Sequence, residues 1–161
     1  MNKSTADLQL FERWLERHGA ILHRVSRAFA HLEQGDLHQE MLLQLWRSLP
    51  NFRGQAKEST WIYRVAFNTA LTWNRQDRQR REVHLEDEPA APGPSAAPRL
   101  DELYAAVRTL KPLDRTLIVL FLDDYSYQEM SEITGISLSN VGVRLKRCKE
   151  KLFQEMKGDP S

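Results

Sequence analysis

Apolar residues recur every three or four positions along most of the chain, the spacing that places them on one face of an α-helix. In the first half, this pattern predicts three helices, at about residues 8–32, 37–49 and 60–81. Asp36, with Gln39 three positions later, is expected to cap the second helix. Ser59 or Thr60 is expected to cap the third. No stretch alternates apolar and polar residues as a strand would, so the predicted fold class is all-α.

A proline-rich segment interrupts this pattern. Residues 86–98 read EDEPAAPGPSAAP, and proline both lacks an amide hydrogen and clashes inside a helix. The segment is therefore predicted to be a flexible, partly extended linker. It separates a small helical domain at residues 1–85 from a second one at residues 99–161, and each domain is expected to bury its own apolar face.

The second domain has the features of a helix-turn-helix. Its helices are predicted at about residues 100–110, 113–122, 126–134 and 137–156. Ser126 and Glu129 form a capping-box pattern, and Gly135 permits the left-handed turn before the last helix. A basic helix after a short turn that contains glycine is typical of a DNA-binding helix-turn-helix. An ordinary helical hairpin with a basic exposed face is the alternative.

Charge is unevenly distributed along the chain. The formal net charge is only +1, but residues 53–81 sum to +5 and residues 137–161 to +3, whereas residues 82–102 sum to −5. Two basic blocks in an otherwise neutral or acidic chain suggest local contacts with a polyanion. Two solvated helix faces would produce the same charges, so this alternative stays open.

The last helix offers side chains that suit base recognition. Packing of Ile136, Val141 and Leu145 against the preceding helix leaves a polar and basic set facing outward. Asparagine pairs with adenine, arginine or lysine with guanine or phosphate, and valine with the thymine methyl group. The predicted duplex-binding residues are Ser139, Asn140, Val143, Arg144, Lys146 and Arg147.

The third helix combines cations with aromatic residues. Cations attract phosphates, and aromatic faces stack on unpaired bases. Aromatic residues at helical spacing are more often part of a core, so Trp61 is expected to be mainly structural. By itself, this helix would be a weak signal for nucleic-acid binding.

Two long stretches resemble one family. Residues 36–71, DLHQEMLLQLWRSLPNFRGQAKESTWIYRVAFNTAL, resemble the second region of bacterial RNA polymerase sigma factors, best those of the small extracytoplasmic-function class. Residues 113–152, LDRTLIVLFLDDYSYQEMSEITGISLSNVGVRLKRCKEKL, resemble the fourth region of that class. The order and spacing of the two stretches make the resemblance specific, which neither stretch alone would be.

The resemblance implies a surface for core RNA polymerase. In the family, a D-x-x-Q-E helix docks on the clamp helices of the largest polymerase subunit, and acidic groups around an apolar anchor suit such an interface. Without the resemblance, an exposed acidic face beside core leucines would be the simpler interpretation. The residues concerned are Asp36, Gln39, Glu40, Leu43 and Trp46.

The resemblance also implies a site for melted promoter DNA. In the family, the loop between the second and third helices captures a flipped base, and the few kcal/mol of unstacking are offset by contacts in a pocket. Glu58 departs from the pattern, because relatives often have an aromatic residue there. The predicted melting and single-strand-binding residues are Arg53, Lys57, Glu58, Ser59, Thr60, Trp61, Tyr63, Arg64 and Asn68.

The fourth region departs from the family pattern at several positions. Arg144 fits, whereas Ser139, Asn140 and Val143 differ from the usual residues and Gly142 has no side chain. DNA binding is expected to survive these changes. The preferred upstream promoter sequence is predicted to be unusual.

Other chemistry is not indicated. The five histidines form no metal-ligand cluster with cysteine, and no nucleophile or phosphate-loop motif occurs. We therefore predict no catalytic residues, metal or cofactor.

Cys148 is either a thiol with a pKa lowered by neighbouring cations or a partly exposed structural residue. No run is long and apolar enough for a transmembrane helix, and no secretory signal is recognised, so a cytoplasmic location without membrane insertion is expected.

These observations lead to one functional prediction and two alternatives. The predicted protein is a dissociable sigma subunit, not an enzyme, that binds core RNA polymerase, recognises both promoter elements and helps to melt the DNA. The resemblance also implies an anti-sigma partner that clamps the two domains. The free protein is expected to bind promoter DNA poorly, because its domains are not held at the required separation. The alternatives are a conventional helix-turn-helix regulator with an N-terminal dimerisation or sensing domain, and a decoy that binds polymerase without reading DNA.

Overall fold

The structure, a computed structural model, describes residues 5–83 and 97–157, without the side chains of 78 and 80–83. Over these ranges, every regular element is a helix, which confirms the predicted all-α class. The predicted linker, residues 86–98, lies outside the described residues except for its last two positions.

Three helices form the N-terminal domain. They are α1 (Thr5–Phe29), α2 (Gln34–Ser48) and α3 (Glu58–Val83), with a short 3-10 helix, Leu49–Asn51, after α2. Each helix contacts the other two. Their apolar faces meet around Trp14, which is fully buried and lies edge-on to Phe52 at 5.1 Å between ring centroids.

Two predicted caps in this domain are wrong. Helix α2 begins at Gln34, since the amide of Leu37 already donates to the carbonyl of Glu33 at 3.1 Å. Asp36 therefore lies inside the first turn, where its charge still favours the helix dipole. Helix α3 likewise begins at Glu58, ahead of both Ser59 and Thr60.

The C-terminal domain is made of α4 (Pro98–Arg108), α5 (Pro112–Leu122), α6 (Tyr127–Thr134) and α7 (Leu138–Met156). Proline occupies the first position of α4 and of α5, where its missing amide hydrogen costs nothing. The predicted boundary between the helices at residues 100–110 and 113–122 is thus confirmed, one residue from its expected place.

The helix-turn-helix is formed by α6 and α7, as predicted. The Ser126 hydroxyl accepts from the amide of Glu129 at 3.1 Å, and the Glu129 carboxylate accepts from the amide of Ser126 at the same distance. Gly135 then turns the chain with φ 82°, in the left-handed region that glycine enters without strain. Ser137 caps α7 by accepting from the amide of Asn140.

The two domains pack against each other. Helix α1 contacts α4 and α5, and α3 contacts α6. The expectation that each half buries its own apolar face is therefore incomplete, because α1 and α3 also present a face to the C-terminal domain. This shared surface determines which of the predicted site residues are accessible.

Candidate nucleic-acid interface

The outer face of α7 presents most of the predicted duplex-binding side chains to solvent. Val143 is 50% exposed, and the remaining exposed members of the set are Ser139, Asn140, Lys146 and Arg147. Opposite them, Val141 and Leu145 are buried in the domain core. The structure therefore brings short polar, apolar and basic side chains together on one accessible helix face, as base reading requires.

Arg144 differs from its neighbours because it is held by another helix. Its Nη1 donates to Oδ1 of Asp114, in the first turn of α5, at 2.8 Å. The Arg144 side chain remains about a third exposed. Its guanidinium is thus directed by an ion pair that spans 30 residues of sequence, and no local pattern signalled Asp114 as its partner.

Two accessible apolar residues next to this face were not predicted. Leu138 is 50% exposed at the start of α7, and Tyr127 is 42% exposed at the start of α6. A side chain at Gly142 would place its Cβ 3.7 Å from the Tyr127 ring. This distance is an ordinary van der Waals contact, so a small side chain would fit there, and no signal in the sequence marked the two residues.

The outer face of α2 carries the predicted polymerase-binding set. Leu43 is 41% exposed, and Asp36 and Gln39 are also exposed, so an apolar side chain lies among polar ones. Glu40 and Trp46 are half-buried. Glu40 accepts from Gln44 at 2.8 Å, and Trp46 packs edge-on against Phe11 with 5.2 Å between ring centroids.

A groove connects the α2 face with α3. Its volume is about 480 Å³, and Glu40 and Gln44 line one side while Asn68 and Trp73 line the other. Asn68 is exposed. A residue predicted to contact polymerase and a residue predicted to contact DNA therefore border the same depression.

The loop before α3 and the first turn of this helix contain both accessible and buried members of the predicted strand-binding set. Arg53 and Lys57 are exposed, next to Gly54 with φ 75°. Glu58 and Ser59 are half-buried, and Thr60 is buried. The accessible cations are thus the part of this loop that can meet phosphates.

Trp61 is half-buried and packs against neighbouring elements, as its spacing favours. Its indole Nε1 donates to the Ser48 hydroxyl at 3.1 Å. Its ring also packs edge-on against Phe52, with 5.5 Å between centroids. These contacts tie α3 to the end of α2.

Tyr63 is covered by the C-terminal domain. Its side chain is fully buried, and its hydroxyl donates to Oδ2 of Asp123 at 2.6 Å. Tyr125 lies edge-on to the Tyr63 ring at 5.1 Å. Burial first, and then the bond to Asp123, raise the pKa of the Tyr63 phenol well above its ordinary value, so that it remains a donor.

Arg64 and Lys57 also face the C-terminal domain. Arg64 donates to the backbone carbonyl of Glu132 at 2.8 Å, and Lys57 Nζ lies 3.7 Å from Oε2 of Glu129. Both surfaces border an open pocket of about 530 Å³, which is also lined by Thr60. In this arrangement, α6 engages Arg64, whereas the Lys57 side chain remains 76% exposed.

Cys148 does not match either of its predicted descriptions. Its side chain is buried, and burial followed by the neighbouring Asp114 raises the pKa of the thiol to about 11. The neighbouring cations Arg144 and Lys151 act in the opposite direction but do not outweigh these effects. The expectation of a lowered pKa is wrong, because desolvation of a thiolate costs more than the neighbouring, partly solvated cations recover.

Over residues 5–83 and 97–157, no group of three or more histidine, cysteine or acidic side chains is placed to hold a metal ion. His23 and His38 stack with 4.4 Å between ring centroids, and burial together with His23 lowers the pKa of His38. None of the helices in the described part is both long and apolar enough to span a bilayer.

Comparisons of the sequence match both domains to one family. The profile of Sigma-70 region 2 matches residues 10–81, and that of Sigma-70, region 4 matches residues 100–152. RNA polymerase sigma factor YlaC of Bacillus subtilis is 29% identical over 147 residues, which cover 84% of this chain and 85% of that protein. RNA polymerase sigma-H factor of Pseudomonas aeruginosa is 31% identical over 136 residues, covering 73% and 70%.

Two solved structures share the fold. One is the sigma factor RpoE from Bartonella quintana, co-crystallised with the anti-sigma factor NepR, with a TM-score of 0.76, 20% identity and coverage of 94% of this chain and 98% of that one. The other is CnrH in complex with the cytosolic domain of CnrY, with a TM-score of 0.67, 22% identity and coverage of 94% and 90%.

An all-α chain whose two domains match sigma regions 2 and 4 in this order is a transcription initiation factor, and its partners are core RNA polymerase and promoter DNA. The chain belongs to the sigma-70 family of RNA polymerase sigma factors, within the extracytoplasmic-function class. A conventional helix-turn-helix regulator is not favoured, since residues 10–81 match a sigma region for which such a regulator has no use.

Proposed function

We propose that the two domains divide promoter recognition between a polymerase-bound melting domain, residues 1–85, and a duplex-reading domain, residues 99–161. Residues 86–98 would tether them, so that two modest affinities combine through effective concentration on one polymerase–DNA surface. The observation that carries this proposal is that the outer faces of α2 and α7 are both accessible on the same chain. The protein would act without catalytic activity of its own, in the cytoplasm.

The α2 face would hold core polymerase. Leu43 would supply the apolar anchor, and Asp36 and Gln39 a polar rim, which is the usual composition of a protein–protein contact. Glu40, at the border of the groove, would add a polar contact to polymerase. Trp46 would hold α2 against α1 through its packing on Phe11.

The loop and first turns of α3 would bind the separated strand. Arg53 and Lys57 are positioned to meet phosphates, and Asn68 can hydrogen-bond a base edge. Tyr63 and Arg64 would join them once the C-terminal domain moves away. Trp61, Thr60 and Ser59 would act by shaping this surface, and Glu58 by selecting which base it accepts.

Helix α7 would read the upstream promoter element as duplex. Asn140, Arg144 and Val143 have the chemistry for adenine, guanine and thymine contacts, respectively. Lys146 and Arg147 would bind phosphates and fix the register, and Ser139 would add a short polar contact near the start of the helix.

An anti-sigma protein is a further proposed partner. The solved relative RpoE was co-crystallised with the anti-sigma factor NepR, and the solved structure of CnrH is a complex with the cytosolic domain of CnrY. A protein with the same two-domain fold, and with accessible faces on α2 and α7, offers comparable surfaces for such a partner.

Run-off transcription from a randomised promoter library with purified core polymerase tests the proposal. The wild-type chain should direct initiation from a consistent subset of promoters. Arg147→Ala should reduce this activity strongly, because Arg147 is exposed on the reading face. Lys149→Ala is the matched control, since Lys149 lies on the same helix but stacks over the Phe121 ring at 4.8 Å.

Two outcomes would contradict this assignment. Tight binding to a specific duplex without any binding to core polymerase would favour the conventional regulator. Binding to core polymerase with no promoter-directed transcription, and no effect of Arg147→Ala, would favour a decoy.

A further inference from the structure

A pocket of about 460 Å³ lies where the end of α1, the second half of α3 and the turn between α4 and α5 meet. Its volume is in the range of pockets that hold small organic ligands. None of the residues assigned above to polymerase or to DNA lines it. The proposed function therefore gives this pocket no role, and the chemistry of its lining indicates what it could hold. We call it the α4–α5 pocket.

The two domains contribute opposite charges to the α4–α5 pocket. The C-terminal domain supplies three cations, Arg108, Lys111 and Arg115. The N-terminal domain supplies two carboxylates, those of Glu33 before α2 and of Asp77 in α3. A pocket with cations on one wall and carboxylates on the other suits a ligand that is anionic at one end and carries hydrogen-bond donors at the other.

The two arginines of the basic wall are held in place by backbone and aromatic groups. Nε of Arg115 donates to the carbonyl of Leu110 at 2.8 Å, and its guanidinium lies over the Phe29 ring, with 5.4 Å between Cζ and the ring centroid. Nη1 of Arg108 donates to the carbonyl of Arg27 at 2.8 Å. Within the described residues, neither guanidinium forms an ion pair with a carboxylate. Each guanidinium has five N–H donors, so both retain donors for a ligand.

The positive charge of this wall is incompletely compensated. Burial, followed by the charge of Arg27, lowers the pKa of Arg108, and Asp101 offsets only part of this effect. Burial, followed by the charge of Arg108, lowers the pKa of Arg115. A lowered pKa means that the charged form of each arginine is disfavoured in this environment. A phosphate next to the two guanidiniums would relieve this cost, because it accepts charge-assisted and bidentate hydrogen bonds from arginine.

The opposite wall offers groups that suit a nucleobase. The half-buried Trp73 lines the pocket beside Asp77, and an aromatic face can stack on a base. A carboxylate has about four lone-pair positions, so Asp77 and Glu33 can accept from a ligand in addition to other partners. Guanine presents a ring N–H and an amino group side by side, a pair of donors that one carboxylate can accept.

We propose that the α4–α5 pocket is a binding site for a purine mononucleotide, with its phosphate held by Arg108, Lys111 and Arg115 and its base lying against the α3 wall. The proposal goes beyond the proposed function and does not depend on it. The site would give the chain a small-molecule ligand in addition to its macromolecular partners.

Isothermal titration calorimetry of the full chain tests the proposal, with GMP, inorganic phosphate and guanosine as three separate ligands. GMP should bind with a stoichiometry of one. It should bind at least about tenfold more tightly than phosphate or guanosine, because only GMP engages both walls at once.

Substitutions on each wall separate the two ends of the ligand. Lys111→Ala removes an exposed cation, and Arg115→Lys keeps the charge but loses the planar fork. Each should weaken binding of both GMP and phosphate about tenfold. Asp77→Asn should weaken GMP about fivefold without weakening phosphate. Arg17→Ala is the matched control, since Arg17 is an exposed cation of α1 that does not line the pocket, and it should leave both affinities unchanged. Circular dichroism checks that all four variants are folded.

Several results would overturn the proposal. The absence of saturable GMP binding would do so, and so would equal affinities for GMP and inorganic phosphate, which would indicate a simple anion site. Wild-type affinities for Lys111→Ala and Arg115→Lys would place the ligand elsewhere. Displacement of GMP by an unlabelled single-stranded oligonucleotide would assign the pocket to nucleic acid instead. All of these measurements use the chain without polymerase, so they are separate from a failure of the proposed function, which would appear as a chain that directs no transcription.

Discussion

Arg144 of the recognition helix and Asp114 of α5 form an ion pair with 2.8 Å between Nη1 and Oδ1. The pair joins α7, the helix proposed to read the duplex, to the first turn of α5. The Arg144 side chain is still about a third exposed, so the ion pair leaves part of the guanidinium accessible. We therefore propose that Asp114 positions Arg144 for its contact with DNA.

Asp114→Asn is expected to weaken binding of the holoenzyme to promoter duplex about fivefold, equivalent to ~1 kcal/mol. The direction is informative, because removing a negative charge would by itself strengthen DNA binding. Asp124→Asn removes the same charge away from α7 and should not weaken duplex binding. Filter binding or anisotropy with a selected promoter fragment measures both, and equal effects of the two variants would contradict a positioning role for Asp114.

Gly135→Ala is expected to lower the free energy of unfolding by about 1–2 kcal/mol, since alanine is strained at φ 82°. Gly19 provides a control, because it lies within α1 and a Cβ there would meet nothing within 4 Å. Gly19→Ala should be neutral or stabilise the fold by about 0.5–1 kcal/mol. Urea denaturation monitored by circular dichroism distinguishes the two variants, and a neutral Gly135→Ala would show that the turn tolerates another conformation.

Leu43→Lys is expected to weaken the affinity for core polymerase at least tenfold, because a charge would replace the apolar anchor of the α2 face. Leu8→Lys is the matched control, since Leu8 is also about half exposed but lies on α1. Competition for core polymerase against a labelled sigma factor provides the measurement. Unfolding midpoints of both variants should remain close to that of the wild type, and a wild-type affinity for Leu43→Lys would exclude this face.

Cys148 makes folding sensitive to alkaline pH. Its pKa rises from 9.0 in the unfolded chain to about 11 in the folded one, so the folded form holds the thiol proton more tightly. The resulting stability is fully present below pH 9 and is lost as the pH rises through 11. Cys148→Ala should therefore show a smaller loss of unfolding free energy over this interval in urea titrations. Identical pH profiles for wild type and variant would mean that the thiol is hydrated in the folded state.

The helices and the helix-turn-helix could be predicted because their signals are local. The capping box of Ser126 and Glu129, the glycine at 135 and the periodic apolar residues all act within about four positions of sequence. The two wrong caps, at Asp36 and at Ser59 or Thr60, are also instructive. At both positions the backbone enters the helix earlier than the side-chain pattern suggested, with the amides of Leu37 and Trp61 bonded to the carbonyls of Glu33 and Lys57.

Accessibility of the site could not be predicted in the same way. Arg53, Lys57 and Asn68 are exposed as a simple reading of α3 suggests, whereas Tyr63 is buried by two residues from the other domain. The sequence shows which side chains have suitable chemistry. The sequence does not show which of these side chains the second domain covers, because coverage depends on how the two helical domains pack against each other.

Local signals are enough to predict that the chain is helical, that a proline-rich segment interrupts it, and that its second half ends in a basic helix after a short turn. Periodicity, caps and proline geometry decide these properties, and all three are properties of neighbouring residues. That Asp123 meets Tyr63 and Arg24, 60 and 99 residues away in sequence, follows only from the tertiary packing. Such contacts depend on the relative position of whole helices, which the packing of both domains must resolve together.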